Sequence, residues 1–369
     1  MHPEISHQEK RTTAKIVEIL KELNCEVQEF DDMTGVVGLI KGAQNGPTIG
    51  LRADIDALPI EELNEVPYKS QNPGVMHACG HDAHTTIMLG VAKNIIESGL
   101  QTELKGKVKF FFQPAEERVA GAKAMIERGV LENPRVDRVI AGHMAPDVPV
   151  GKIGICRGLG YASADRFKLQ ITGKGSHGAR PEDGYDPIVA GANFVTTIQS
   201  IVSRNIKPTE AAVVTVGKFR SGDASNVIPE FAYLEGSIRA LSGAIRQKIF
   251  DRLYEIAAGL EKTFNVVCSL NIHEGVPTLE NDIEVAEFLY KVSQHILGTN
   301  NVQYFPPVMG SEDFSYFTEQ RPSAIMRLGC SNSEKGLERS LHSPYFDIDE
   351  QVLDVGVAIF TEAVVRYLS

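Results

Sequence analysis

Four short stretches concentrate side chains able to bind a metal or move a proton. They are Leu51-Arg52-Ala53-Asp54-Ile55-Asp56, His77-Ala78-Cys79-Gly80-His81-Asp82, Gln113-Pro114-Ala115-Glu116-Glu117 and Ala141-Gly142-His143. Cys79 and His81 are spaced so that both can reach one ion from a turn, where a thiolate is a strong ligand. In Glu116-Glu117 one carboxylate can bind metal while its neighbour acts as a base. Each stretch also has an ordinary reading. Cys79 and His81 can be a buried thiol and a hydrogen-bonded histidine, and the glutamates a solvated pair. Asp54 and Asp56 can cap a turn, and His143 can be a histidine at a strand end. Taken jointly, those readings require four coincidences, so the set points to a metal centre with a base beside it.

Such a centre needs elements that bring these stretches together. Val36 to Ile40, Thr48 to Ala53, Lys107 to Phe112 and Arg138 to Ala141 read as strands. Thr85 to Ile96 reads as a helix, with Ile87, Val91 and Ile95 on one stripe, and a second helix is expected near Ala120 to Arg128. Ser6 with Glu9 reads as a capping box opening a first helix that carries Thr13, Val17, Leu20 and Leu23 on one face. Strands alternating with helices indicate an α/β layer with a largely parallel sheet. Ligand sites form beyond the carboxyl ends of such strands, so the four stretches should meet along one rim.

The rhythm changes after about Gly160. A strand at Arg166 to Thr172, a helix from Pro187 to about Arg204, strands at Ala212 to Phe219 and Glu230 to Ala240, a helix at Ile245 to Phe264 and a strand at Val266 to Ile272 follow in order. That β-α-β-β-α-β series is the ferredoxin-like pattern. The expected organisation is a catalytic domain in two parts, 1–162 and 275–369, around an inserted lid or dimerisation domain, 163–274. In the insert, Gly173 to Gly178 formally fits G-x-G-x-x-G, but Pro181 and Pro187 delay the helix and no ribose-binding acid lies about 20 residues on, so nucleotide binding is rejected. The glycines instead present His177 on a flexible loop. Asn226 and Arg239 read by default as a turn residue and a strand charge. Met309 to Phe314 is a glycine turn into a short helix, and His342 lies in a loop before the closing helix, Glu350 to Leu368, after a strand at Ala324 to Leu328.

Composition narrows the function classes. The 369 residues exceed the usual span of one core. A hydrophobic share of 43% and a charged share of 23% are those of a globular chain. The formal net charge of -11 disfavours nucleic acid and anionic membrane as partners. Met1 to Arg11 has no apolar signal core. The five cysteines, Cys25, Cys79, Cys156, Cys268 and Cys330, are odd in number and scattered, which argues against a disulfide framework and for a cytoplasmic setting.

On these motifs the sequence resembles the aminoacylase and carboxypeptidase-like metal-dependent amidohydrolases, in the branch containing hippurate hydrolase, auxin-conjugate hydrolases and N-acetyldiaminopimelate deacetylase. The matching motifs are Arg52 to Pro59, His77 to His84, Gln113 to Glu117, Gly142 to Met144, Gly175 to Pro181, Ser225 to Pro229, Gly310 to Phe314 and Leu341 to Pro344, in order through almost the whole chain. A basic R-R-x-L-H element that usually precedes the Pro-Glu at Pro3-Glu4 is absent. The resemblance implies an α/β catalytic domain with an inserted ferredoxin-like lid. It also implies two divalent metals per subunit, held by Cys79, His81, Glu117, His143 and His342, with zinc, manganese, nickel or cobalt suited to mixed sulfur, nitrogen and oxygen ligands. Glu116 matches the general base and Asp56 the acid that orients a ligand. His177, Asn226, Arg239 and Gly310 match substrate-contacting positions, and the lid is expected to mediate a homo-oligomer. The implied reaction is hydrolysis of an N-acyl amino acid by an activated water. A dipeptide exopeptidase and a catalytically silent ligand-binding protein are the alternatives, and the paired glutamates argue against the second.

Overall fold

The computed structural model describes residues 1–369. The chain divides into two compact units, one of Met1–Gly158, Glu280–Pro306 and Asp313–Ser369, the other of Leu159–Leu279 and Pro307–Glu312.

The first unit is built on an eight-stranded mixed sheet. Its strands lie in the order Glu26–Glu29, Val36–Lys41, Lys105–Gln113, Gln44–Asp54, Arg138–Pro149, Ser323–Ser331, Ile153–Ile155, Val302–Tyr304. Gln44–Asp54 pairs in parallel with both Lys105–Gln113 and Arg138–Pro149, and Arg138–Pro149 with Ser323–Ser331. These strands are near-continuous apolar runs because the sheet is covered on both faces. Phe110 and Phe112 join the main core, whereas Phe111 points to the other face and meets Phe317 at 5.4 Å between ring centroids. The helix His81–Glu97 buries the stripe of Ile87, Val91 and Ile95 in the main core, next to the closing helix Gln351–Leu368. The helix Ile283–Leu297, which has no counterpart in the sequence reading, lies on that side too. The chain leaves this unit after Gly158 and returns beside it, since the Asn281 N–H donates to the Gly158 carbonyl at 2.8 Å.

Register brings the chemistry-bearing stretches to one rim. Asp54 stands opposite Gln113, and Arg52 opposite Ala141, so the residues that follow all emerge at the same end of the parallel strands. One boundary differs from expectation. The strand predicted to end at Ala141 continues to Pro149, so His143 lies within it, past the last pairing with Gln44–Asp54.

The first helix also differs. It runs Lys10–Glu22 with Glu9 at its N-cap position, but the Glu9 side chain makes no capping bond, and Glu4 accepts the N–H groups of Arg11 and Thr12 at 3.0 and 2.8 Å. The predicted Ser6–Glu9 capping box is therefore not formed. The Ser6 hydroxyl donates to Asp56 instead, at 2.7 Å, and Glu9 turns inward.

The second unit has a four-stranded antiparallel sheet in the order Ala212–Ser221, Phe231–Ala240, Ala164–Thr172, Val267–Val276. Helices Pro187–Ser200 and Gly243–Phe264 cover one face, and Phe167, Leu169 and Ile171 point into the core beneath them. Asp186 caps the first of these helices, accepting from the N–H groups of Ile188 and Val189, with proline at the first helical turn. The chain order and the sheet order together are the ferredoxin-like arrangement. All five cysteines are free, and no helix is long and apolar enough to cross a membrane.

Candidate metal centre

The first unit gathers Asp56, Cys79, His81, Glu116, Glu117, His143 and His342 at the rim of its sheet. The ligand atoms of Cys79, His81 and His143 all lie within 4.8 Å of one another, as do those of Cys79, Glu117 and His342, and those of His81, Glu116 and Glu117. The Cys79 sulfur lies 3.5 Å from His143 Nε2, and His342 Nε2 lies 3.4 Å from Glu117 Oε1. Two ligands bound at about 2.0–2.3 Å to one tetrahedral ion stand roughly 3.3–3.8 Å apart, which these separations match. Cys79 belongs to the first two of these triads, and His81 to the first and third.

Local backbone explains how residues so distant in sequence converge. Gly80 has φ +83°, and a Cβ there would fall 2.6 Å from Met144 Cγ, so only glycine lets the Cys79–His81 turn press against the residue that follows His143. The His342 N–H donates to the Ala78 carbonyl at 2.8 Å, which ties the late ligand to the early turn. His342 and Ala115 both adopt left-handed backbone, at φ 63° and 52°. Such conformations in non-glycine residues persist only where surroundings hold them, and they cluster at functional sites.

Asp56 is buried and works in three directions. One oxygen lies 3.1 Å from His81 Nδ1, and the other accepts from the Glu117 N–H at 3.1 Å and from Ser6. With the His81 Nδ1 proton engaged there, Nε2 is left as the ligand atom. His143 is fixed similarly, its Nδ1 lying 2.9 Å from the Met144 carbonyl. Behind it, the Met144 N–H donates to His84 Nε2 at 2.8 Å, and His84 Nδ1 meets Asp54 at 2.5 Å. Arg52, 1% exposed, joins Asp54, Gln113 and Asp313 in one bonded network. Asp54, His81 and His84 also lie close enough to hold an ion. The bonds from Asp54 to Arg52 and His84 already account for that carboxylate, so this group supports the ligands and does not join them. Sequence reasoning missed His84 and the part played by Asp54. The signals available were His84 three residues after His81 on one helix face and an arginine buried with two acids in an apolar strand.

Charge at the site is organised for cations. Burial pushes the Cys79 thiol up, but His143 and His81, with hydrogen bonds to His143 and His342, outweigh it and bring the group down to about 6. His342 is pushed up to about 10 by its bonds to Cys79 and Glu117. Burial disfavours a charged His81, yet Asp54, Cys79 and Asp56 hold its pKa well above the ordinary histidine value. His84 is driven down to about 4 by burial, with Asp54 opposing, which agrees with a neutral ring that donates on one side and accepts on the other. The buried Nε2 of His81 has no hydrogen-bond partner, and the buried Glu117 Oε1 faces His342 Nε2 at 3.4 Å. Orphaned buried atoms are rare and need an explanation. A cation bound between these groups supplies one, and the mixed thiolate, imidazole and carboxylate donors suit it.

The second unit carries the remaining predicted residues. His177 does not sit on a flexible loop: Ser176–His177 pairs with Val227–Ile228, His177 opposite Val227, and the Gly178 N–H donates to the Asn226 carbonyl at 2.8 Å. His177 and Asn226 are thus neighbours near the end of the sheet where Thr172 meets Phe231. Arg239 lies past the other end of that pairing, beyond the partners Ile238 and Asp165. Seven residues at about 3.3 Å each separate the two ends by roughly 23 Å. Arg239 Nη1 is buried without a hydrogen-bond partner. Gly310 is open, with nothing nearer than 3.8 Å to a Cβ built on it.

The chain is similar in sequence and fold to known proteins. The model of the peptidase family M20/M25/M40 matches residues 50–366. An N-acetyl-L-cysteine deacetylase of Bacillus subtilis is 40% identical over 352 residues, 95% of this chain and 82% of that protein. A hippurate hydrolase of Campylobacter jejuni is 36% identical over 368 residues, 100% of this chain and 94% of that protein. The crystal structure of a dinuclear metal-binding peptidase of the M20 family from Bacillus subtilis superposes with a TM-score of 0.86 at 34% identity, covering 100% of this chain and 94% of that one.

Proposed function

The chain belongs to the peptidase family M20/M25/M40, and on that premise we propose that it is a metal-dependent amidohydrolase that removes the acyl group from N-acyl amino acids or related small conjugates. The observation that carries the reading is His81 Nε2, buried without a hydrogen-bond partner in a cluster with Cys79, Glu117, His143 and His342 and with Glu116 adjoining. Two divalent cations, among zinc, manganese, nickel and cobalt, would be held by Cys79, His81, Glu117, His143 and His342. When bound, they lower the pKa of a water and polarise the acyl carbonyl.

The protein's own groups do the rest. Glu116 takes the proton of the attacking water and returns it to the departing amine, giving a carboxylate and a free amino group. Asp56 keeps His81 in its ligating tautomer. His177 donates to the oxyanion of the tetrahedral intermediate, with Asn226 and Gly310 alongside the substrate. Arg239 offers a two-pronged, charge-assisted contact to the substrate carboxylate. One copy of the second unit cannot bring His177 and Arg239 to a single small substrate across 23 Å or so. That separation supports a homo-oligomer in which two copies contribute the two ends of their sheets.

The test is a panel of N-acetyl, N-benzoyl, N-succinyl and indole-acetyl amino acids and simple dipeptides, each with several metals. Turnover of N-acyl substrates is expected, lost by a factor of about 10²–10⁴ or more in Glu116→Gln with metals still bound. A panel wholly silent on metal-loaded protein sinks the enzyme reading. A dipeptide exopeptidase is the second reading, favoured by the likeness to the dinuclear metal-binding peptidase of the M20 family. Faster hydrolysis of dipeptides than of N-acyl amino acids would establish it.

A further inference from the structure

Glu9 is wholly buried, stands at the head of the first helix, and makes no capping bond. Acidic side chains are almost never fully buried unless paired, and both oxygens of Glu9 are engaged. Oε1 accepts the Ala115 N–H at 2.8 Å, and Oε2 accepts the Thr34 hydroxyl at 2.6 Å. The first of these contacts spans 106 positions of sequence and ends on the residue immediately before Glu116-Glu117.

Ala115 is the backbone pivot of that loop. Its φ of 52° lies in the left-handed region, which alanine rarely adopts, and Val119 four residues on has the same value. The Ala115 carbonyl accepts from the N–H groups of Ala120 and Gly121 at 3.3 and 3.4 Å. Its own N–H is buried and has Glu9 as acceptor. The neighbouring segment presses on the same turn. Gly35 donates its N–H to Thr13 at 2.9 Å, and a Cβ there would fall 2.6 Å from Pro114 Cδ. A rotation at Ala115 would swing both glutamates away from the cluster.

We infer that Glu9 is a positioning residue whose buried carboxylate holds Ala115 in its left-handed turn and thereby aims Glu116 as base and Glu117 as ligand. The role of Glu116 here rests on the function proposed above; the role of Glu117 is read separately, through metal affinity. The competing account makes Glu9 a mere tie between the first helix and the sheet. Glycine at position 115 separates the two, because it takes φ +52° without penalty and lessens the need for Glu9 only if Glu9 acts through that turn.

The experiment uses the metal-loaded full chain and four variants, Glu9→Ala, Glu9→Gln, Ala115→Gly and the double Glu9→Ala/Ala115→Gly. It reads kcat and KM on the best N-acyl substrate and metal affinity by chelator competition. Glu9→Ala should lower kcat by about 10- to 100-fold with KM changed less than threefold or so, as expected when a reacting group is displaced by an ångström. Metal affinity should fall in parallel. Glu9→Gln, which can still accept from Ala115, should stay within a few fold of the parent. The double variant should recover at least about fivefold of the lost kcat and affinity. A double variant no better than Glu9→Ala, or an unchanged kcat and affinity in Glu9→Ala, overturns the inference. If Glu9→Ala does not fold, Thr34→Val with and without Ala115→Gly takes its place, with a smaller loss that glycine must again reverse. A parent chain that binds metals but turns over no substrate defeats the proposed function alone, and affinity then decides the case of Glu9.

Discussion

Replacing Asp56 by asparagine isolates one carboxylate on which the cluster converges. Asp56 receives three donors, the Ser6 hydroxyl, the Glu117 N–H and the proton on His81 Nδ1. Asparagine keeps the shape but offers one acceptor oxygen and an amide NH₂. If the oxygen stays toward Glu117 and Ser6, the NH₂ faces His81 Nδ1 and favours the tautomer whose proton sits on Nε2, the atom meant for the metal. If the amide flips, the NH₂ opposes the Glu117 N–H. Either arrangement leaves one buried donor without a partner, at about 1–3 kcal/mol. That range is roughly a factor of 5 to 150 in affinity, and loss of such a supporting bond typically weakens metal binding about 10- to 100-fold. The assay is chelator competition on Asp56→Asn, following both metals. One site should weaken by about 10- to 100-fold and turnover at subsaturating metal should fall with it. Affinities within threefold of the parent at both sites would refute the idea that Asp56 sets the His81 tautomer.

Further outcomes follow from the same geometry. In the metal-free chain His342, raised to about 10, carries a proton at pH 7.5, whereas Cys79, near 6, is already a thiolate. Ligation needs that ring neutral, so metal uptake at pH 7.5 should release at least about one proton per chain. Affinity should rise with pH between about 6 and 8. Titration calorimetry in buffers of different ionisation heat measures this, and no proton release refutes it. Since His177, in a small two-stranded ladder, lies near one end of the four-stranded sheet and Arg239 at the other, His177→Ala and Arg239→Ala should each be nearly inactive alone yet regain a substantial fraction of turnover when unfolded together and refolded as a mixture. No recovery in a mixture shown to contain mixed oligomers would remove the case for shared sites.

Much of this was legible before any coordinates. Acids and a histidine after three apolar strands, with Cys79 and His81 in a loop entering a helix, are uncommon enough that the four stretches stand out, and parallel-sheet logic places them on one rim. Helices with a strong stripe, such as the one carrying Ile87, Val91 and Ile95, were legible to within a few residues. What stayed hidden depended on long-range pairing. Ser6 and Glu9 have the spacing of a local cap, and nothing nearby reveals that their partners are Asp56 and Ala115. Arg239 reads by itself as a strand charge and becomes a site residue only through the resemblance, and its separation from His177 follows from antiparallel register, which one strand's sequence does not carry. The extension of the strand beyond Ala141 was missed because its later pairing is with Ser323–Ser331, far along the chain. Asp54 looked like a turn residue because its ties to Arg52 and His84 are invisible without the sheet.

The adjacency of Gly158 and Asn281 bears on how the chain can be assembled during synthesis. His143 leaves the ribosome about 200 residues before His342, and closing so long a span onto the cluster carries an entropic penalty that grows with the logarithm of its length. Once the intervening unit has folded with its two ends bonded side by side, the free contour between those histidines shrinks to about 75 residues, which lowers the penalty by roughly 0.9 kcal/mol. The excursion thus acts as a clasp on the nascent polypeptide. The early members of the cluster wait as an incomplete set, completed only when His342, in the last tenth of the 369 residues, has been made.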